Sequence, residues 1–147
     1  MFDQAKHCGW ALFENNKLIE YGVEKLGDEK TTYERILHPA TKFAKRLIEK
    51  TKADMVVIEN IQYQSNMATY RKLALLQGAL ICLFDENDIL YSIVEPSKWK
   101  SFCKIKGKKR QEQKENAIKF VKENFDIDVT SDEADAICMG VWSASNN

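Results

Sequence analysis

Apolar and polar positions follow a strand-like pattern at the start of this chain and then change period. Gly9-Trp10-Ala11-Leu12-Phe13 and Lys17-Leu18-Ile19-Glu20-Tyr21-Gly22-Val23 read as strands, with Glu14-Asn15-Asn16 as the turn of a hairpin. From Tyr33 the apolar residues recur at helical spacing through Ile36/Leu37, Ala40, Phe43/Ala44 and Leu47/Ile48, with Pro39 predicting a kink or a later start. Residues 54–59 hold an unbroken apolar run with two valines, the pattern of a buried strand that ends at Glu59. Residues 66–84 predict a helix apolar nearly all round its later half, so it is either central or covered by a partner subunit. Residues 89–94 read as a further strand, and residues 113–124 as a helix. Thr130 and Glu133 have capping-box spacing and open a closing helix that buries Ala134, Ile137, Cys138, Val141 and Trp142. The order is β-β-(β)-α-β-α-β-α-α, with the bracketed strand in the early β block. It predicts an α/β fold whose mixed sheet carries helices on its faces.

Length and composition narrow the class. The 147 residues are enough for one domain spanning 1–147 with a real core. With 44% hydrophobic and 30% charged residues, disorder, collagen and coiled coil are excluded as whole-chain readings. No apolar run reads as reaching the ~18 residues of a membrane span, and the N-terminus lacks the basic and apolar regions of a signal peptide. Cys8, Cys82, Cys103 and Cys138 include no closely spaced pair, so reduced thiols in a soluble cytoplasmic protein are expected.

Charge changes the picture more. The formal net charge is zero, yet residues 98–122 carry ten Lys/Arg against Glu112 and Glu115 only. Such asymmetry suggests one face for a polyanion, although a lysine-rich run is often no more than a solvated surface.

The acids fall at the ends of elements. Asp3 follows a short apolar start, Glu59 ends the central strand, and Asp132 and Asp135 share one face of the last helix at i, i+3 spacing. Each alone has a plain explanation, since Asp at a helix N-terminus offsets the macrodipole and an acid after a strand is often its first exposed residue. Together they suit hard divalent ions, which take carboxylate oxygens plus water and substrate phosphate. His7 and His38 are isolated, which argues against zinc.

Asp3 with Gly9-Trp10-Ala11, then Val57-Ile58-Glu59, Leu76-Gln77-Gly78-Ala79, Glu95-Pro96-Ser97-Lys98-Trp99-Lys100 and Asp132-Glu133-Ala134-Asp135-Ala136 together resemble the RuvC family of Holliday junction resolvases. The resemblance keeps motif order and approximate spacing over essentially the whole chain. It implies an RNase H-like mixed five-stranded sheet flanked by helices, and a homodimer that nicks four-way DNA junctions. It also implies two Mg²⁺ ions per active site, with Mn²⁺ able to substitute. Asp3, Glu59, Asp132 and Asp135 are then the catalytic, metal-binding carboxylates. Lys100 and Lys114 fall near the family's phosphate-holding positions, and Lys104, Lys106, Lys108, Lys109 and Arg110 extend the DNA-binding face. Residues 66–84 become the dimer helix, through Leu73, Leu76 and Leu80.

The chain also departs from that pattern. Only Met1-Phe2 stands before Asp3, Gln4-Ala5-Lys6 replaces a glycine-containing stretch, and Gln62 with Tyr63 stands where the family places a junction wedge. With the lysine-rich loop 104–109, these differences point to a divergent, bacteriophage-type member acting in the cytoplasm of a bacterial or phage-infected cell. Trp99 and Tyr63 are candidates for stacking on exposed bases. The competing readings are a branched-DNA-binding protein with little cleavage and a ribonuclease H acting on RNA–DNA hybrids. An actin-like ATPase would need a second domain and a Gly-rich loop that six scattered glycines do not supply. No membrane association is expected, and the sequence names no helicase partner.

Overall fold

The computed structural model describes residues 7–63 and 65–146. The chain opens with a hairpin of β1 (His7–Glu14) and β2 (Lys17–Lys25), paired antiparallel from His7↔Lys25 to Glu14↔Lys17 with a bulge between Leu12 and Phe13. Asn15 and Asn16 close it with φ of 50° and 63°, the left-handed pair that a two-residue hairpin turn needs and asparagine tolerates. After β2 the Asp28 carboxylate accepts from the backbone N–H groups of Lys30 and Thr31 at 2.9 and 3.0 Å. This side-chain turn sends the chain into α1 (Tyr33–Thr51), which runs through Pro39 without a break.

β3 (Val56–Glu59), α2 (Met67–Glu86) and β4 (Tyr91–Val94) form a parallel crossover unit. Asn66 caps α2 by accepting from the Thr69 N–H at 3.2 Å. Then come α3 (Pro96–Phe102), α4 (Arg110–Phe125) and α5 (Ser131–Asn146). The capping box ahead of α5 is present: the Glu133 carboxylate accepts from the Thr130 N–H at 2.8 Å, and the Glu133 N–H donates back to Thr130 Oγ1 at 3.3 Å. The pattern reading missed α3, whose signal was Pro96 at the first helical position, where proline's missing N–H costs nothing.

One mixed five-stranded sheet is not what the chain builds. Among the described residues there are four strands in two separate sheets, β1–β2 antiparallel and β3–β4 parallel. The bracketed strand of the early block is absent from that region, because the turn at Asp28 leads directly to α1. A cleft of about 530 Å³ lies among β1, β3, α1 and α5, with Trp10, Ala44, Ile58 and Gly140 in its walls. Alternation identifies strands but says nothing about which edges meet, so the four strands were legible and their grouping was not.

The core has three parts. The largest joins Val94, Trp99, Cys103 and Ile105 to Ala117 and Val121 of α4 and to Ala134, Ile137 and Cys138 of α5. A second gathers Leu26, Ile36, Ala40 and Leu76, and a third Ile58, Leu80 and Phe84. α2 therefore turns Leu76, Leu80 and Phe84 inward, each at 2% exposure or less, while Met67 and Leu75 stay at least half exposed. By length and composition alone α2 is also apolar enough to cross a membrane, a property that counting uninterrupted apolar runs overlooked. Its inward stripe is nonetheless packed against the rest of the chain.

Candidate functional site

Glu59 stands at the C-terminal end of β3, opposite Val94 of β4, and the Asn60 N–H continues the ladder to the Val94 carbonyl at 2.8 Å. Its carboxylate accepts a 2.7 Å bond from Trp99 Nε1 of α3. Trp99 is fully buried, so it is closed to stacking on a base and instead ties the acid to the largest core cluster. Of the two candidates for base stacking, Trp99 is thereby removed.

α5 brings the other two described acids to the same end of the molecule. β1 lies so close to the start of α5 that a Cβ at Gly9 would collide with the Asp132 carbonyl. Further along α5 a Cβ at Gly140 would strike the Phe13 ring. These two glycines let the helix lie directly on the strand. Asp135 faces inward, and burial, reinforced by the negative charges of Glu59 and Asp132, pushes its carboxyl up to about 6 while Lys100 opposes the rise. Glu59, Asp132, Asp135 and Lys100 thus share one electrostatic neighbourhood. Among the described residues, no three His, Cys, Asp or Glu side chains are already gathered in a coordinating arrangement. Asp3, the fourth expected carboxylate, lies outside the described residues.

Basic residues border the acids. Lys100 Nζ donates to Gln113 Oε1 at 3.2 Å and sits 5.4 Å from the Trp99 ring centroid. Lys104, Lys106, Lys108, Lys109 and Arg110 are exposed, and Lys114 is half-buried on α4. The loop carrying these lysines is fastened to α4. Gln113 Nε2 donates to the Gly107 carbonyl at 2.9 Å, Asn116 Nδ2 to the Lys106 carbonyl at 2.5 Å, and the Lys108 N–H to the Glu112 carboxylate at 3.1 Å. Gly107 makes the fastening possible with φ of +147°, a conformation L residues rarely adopt. The far end of the basic segment is neutralised locally. Lys119 pairs with Glu123 at 3.8 Å, and Lys122 with Asp126 and Asp128 at 3.4 and 3.2 Å.

A cavity of about 290 Å³ opens beside Glu59, between the loop after β3, the first half of α2 and Lys100 with Arg110. Gln62 and Tyr63 are exposed on that loop, and Tyr63 meets Tyr70 edge to face at 5.8 Å between ring centroids. Leu73 lines the cavity, whereas Leu76 and Leu80, expected at a dimer surface, are enclosed in the chain's own core. The apolar run in α2 was read as one surface because spacing alone does not say which of its faces the protomer itself covers.

The sequence reading missed a polar chain behind this cavity. Asn60 Nδ2 donates to Glu95 Oε1 at 2.6 Å, and Gln77 Nε2 to Asn60 Oδ1 at 3.5 Å. The available signal was Gln77 itself, an amide interrupting the greasiest part of α2.

The family described as Lactococcus phage M3 protein matches residues 2–145. No curated protein matches the chain. Thermus thermophilus RuvC in complex with a Holliday junction substrate is similar with a TM-score of 0.74 at 14% identity, over 95% of this chain and 86% of that chain. A second Thermus thermophilus RuvC structure gives a TM-score of 0.64 at 16% identity, over 87% of this chain and 76% of that one. The likeness is structural homology to the RuvC, RNase H-like fold.

Proposed function

The chain belongs to the family described as Lactococcus phage M3 protein, and from its fold and site we propose that it is a metal-dependent, structure-selective DNA endonuclease. On this reading it resolves four-way junctions, and other branched DNA, by paired nicks. One observation carries the proposal: half-buried Asp135 shares an electrostatic neighbourhood with Glu59, Asp132 and Lys100 in a RuvC-like fold. A carboxyl raised first by burial and then by two neighbouring acids is a common mark of a functional site, and a positive ligand would relieve the repulsion.

The donor set fits Mg²⁺ in kind, since it offers only carboxylate oxygens. Glu59, Asp132 and Asp135, with Asp3, would hold the ions, which when bound supply charge neutralisation and an activated water. The chain's own residues do the rest. Trp99 fixes the direction of the Glu59 carboxylate through its indole N–H. Lys100 lies between the acids and the basic loop, where it can hold a strand phosphate next to the bond to be cut. Lys114 and the loop lysines take the phosphates beyond it, so most of the affinity for DNA rests on backbone charge and shape.

Paired nicks require two sites, hence a homodimer. The surface this reading assigns to the partner copy is the outer side of α2, where Leu75 is half exposed and a Cβ at Gly78 would meet nothing within 4 Å.

The test offers a synthetic four-way junction, a linear duplex, a flap and an RNA–DNA hybrid to wild type and Glu59→Gln, with Mg²⁺ and with chelator. Symmetric, metal-dependent nicks in the junction that vanish in Glu59→Gln are expected. Junction binding without cutting by wild type would replace the proposal with a binding role, and cutting of the hybrid alone with a ribonuclease.

A further inference from the structure

The cavity beside Glu59 contains a feature that holding phosphates does not use. Gln77 Oε1 is buried and has no hydrogen-bond partner among the described residues. Buried acceptors are rarely left so, because an unmade bond costs the full desolvation of the group. Gln77 is part of the cavity wall, and the polar chain behind it decides which end of its amide is left without a partner. A carboxylate only accepts, so Asn60 must turn its NH₂ to Glu95 and its oxygen to Gln77. Gln77 must then give its NH₂ to Asn60, which leaves Oε1 as the acceptor on offer. At 3.5 Å the Asn60 bond leaves the Gln77 amide room to turn about its last torsion, which is a soft one.

The rest of the cavity suits a flat, partly apolar group attached to a phosphate. Tyr70, Leu73 and Ile61 supply apolar and aromatic wall, while Lys100 and Arg110 stand at one side. Glu59 is part of the same wall, so the cavity adjoins the proposed cleavage site. We infer that this cavity receives one unstacked nucleobase flanking the scissile phosphate, and that Gln77 accepts a hydrogen bond from its exocyclic amino group. An extruded base is commonly read in this way, by hydrogen bonds to its edge and by packing against aromatic and apolar side chains. Adenine, cytosine and guanine carry such a donor and thymine does not. Gln77 is thus a specificity-determining residue, and Asn60 and Glu95 are positioning residues that orient it.

The inference rests on the nuclease reading, and the experiment separates the two. Single-turnover cleavage is measured on four-way junctions carrying adenine, or purine lacking the 6-amino group, at either nucleotide flanking the cut. Wild type and Gln77→Met, which keeps the side-chain length but not the acceptor, are compared. Loss of the amino group is expected to slow wild type about 3- to 10-fold at one of the two positions, the effect of one hydrogen bond, and to leave Gln77→Met unaffected. Wild type that cuts both substrates equally at both positions overturns the inference while the nuclease assignment stands. An equal slowing of wild type and Gln77→Met overturns it as well. Wild type that cuts no junction at all overturns the nuclease reading and this inference with it. Should Gln77→Met fail to fold, the adenine-to-purine comparison in wild type decides alone.

Discussion

Replacing Trp99 by phenylalanine probes the link between core and site most directly. The change removes the 2.7 Å bond from the indole N–H to Glu59 and leaves a small void in a place with no solvent access. A hydrogen bond to a charged group contributes about 1.5–3 kcal/mol. The lost ring atoms add about 1–2 kcal/mol, at the lower end of large-to-small core changes. The expected total, about 3–4 kcal/mol, lowers the melting temperature of a chain this long by roughly 10 °C. Urea denaturation in chelator should show the midpoint falling with an unchanged slope. The decisive assay is a double-mutant cycle with Glu59→Leu, in which a coupling of about 1.5–3 kcal/mol is expected. If the two single costs add to within about 0.5 kcal/mol, the bond does not join acid to core and the reasoning fails. Cleavage should fall in Trp99→Phe while junction affinity, carried by the lysines, stays near wild type.

Four further outcomes follow from the same geometry. The Asp135 carboxyl is raised from 3.8 to about 6, so in metal-free protein its stabilising contribution is complete below about pH 4 and lost as pH rises through 6. Asp135→Asn should remove that fall, being about 2–3 kcal/mol more stable than wild type at pH 8 and equal at pH 4 by urea titration, while cleavage is abolished. Lys100→Ala should weaken junction binding and lower the salt slope of log K by about 1, measured by anisotropy across a salt series. Leu80→Ala should cost about 2–5 kcal/mol of stability, whereas Leu75→Glu should shift sedimentation from dimer to monomer and abolish the concentration dependence of the melting temperature. In native protein a thiol reagent should modify exposed Cys82 alone, since burial pushes the Cys8 thiol up to about 11 and Cys103 and Cys138 lie in the core; rapid reaction of a second thiol would contradict that packing.

Much of the fold was legible because its signals are local. The Asn15-Asn16 turn and the Thr130–Glu133 box each need only neighbouring residues, and each stands where the pattern placed it. Glu59 and Asp135 were legible as element ends, since strand and helix periods are short. What pattern does not carry is contact between distant segments. Nothing in the alternation of β1 says that its sheet stops at two strands, and nothing in the spacing of Leu76 and Leu80 says that Ile36 and Ile58 cover them. The partner of Trp99 was illegible for the same reason, because its acceptor comes from a strand 40 residues away.

The loop between α3 and α4 is fastened to α4 at three points. Gln113, Asn116 and Glu112 hold its backbone from below, so the lysines it carries behave as part of α4 rather than as a tether. A loose lysine tail moulds itself to any row of phosphates and treats all of them alike. Charges set on a stiff comb match only rows whose curvature suits their spacing. On the proposed nuclease reading, a preference for bent, branched DNA over straight duplex would lie partly in the rigidity of this loop, with Gly107 as the joint that lets it be rigid.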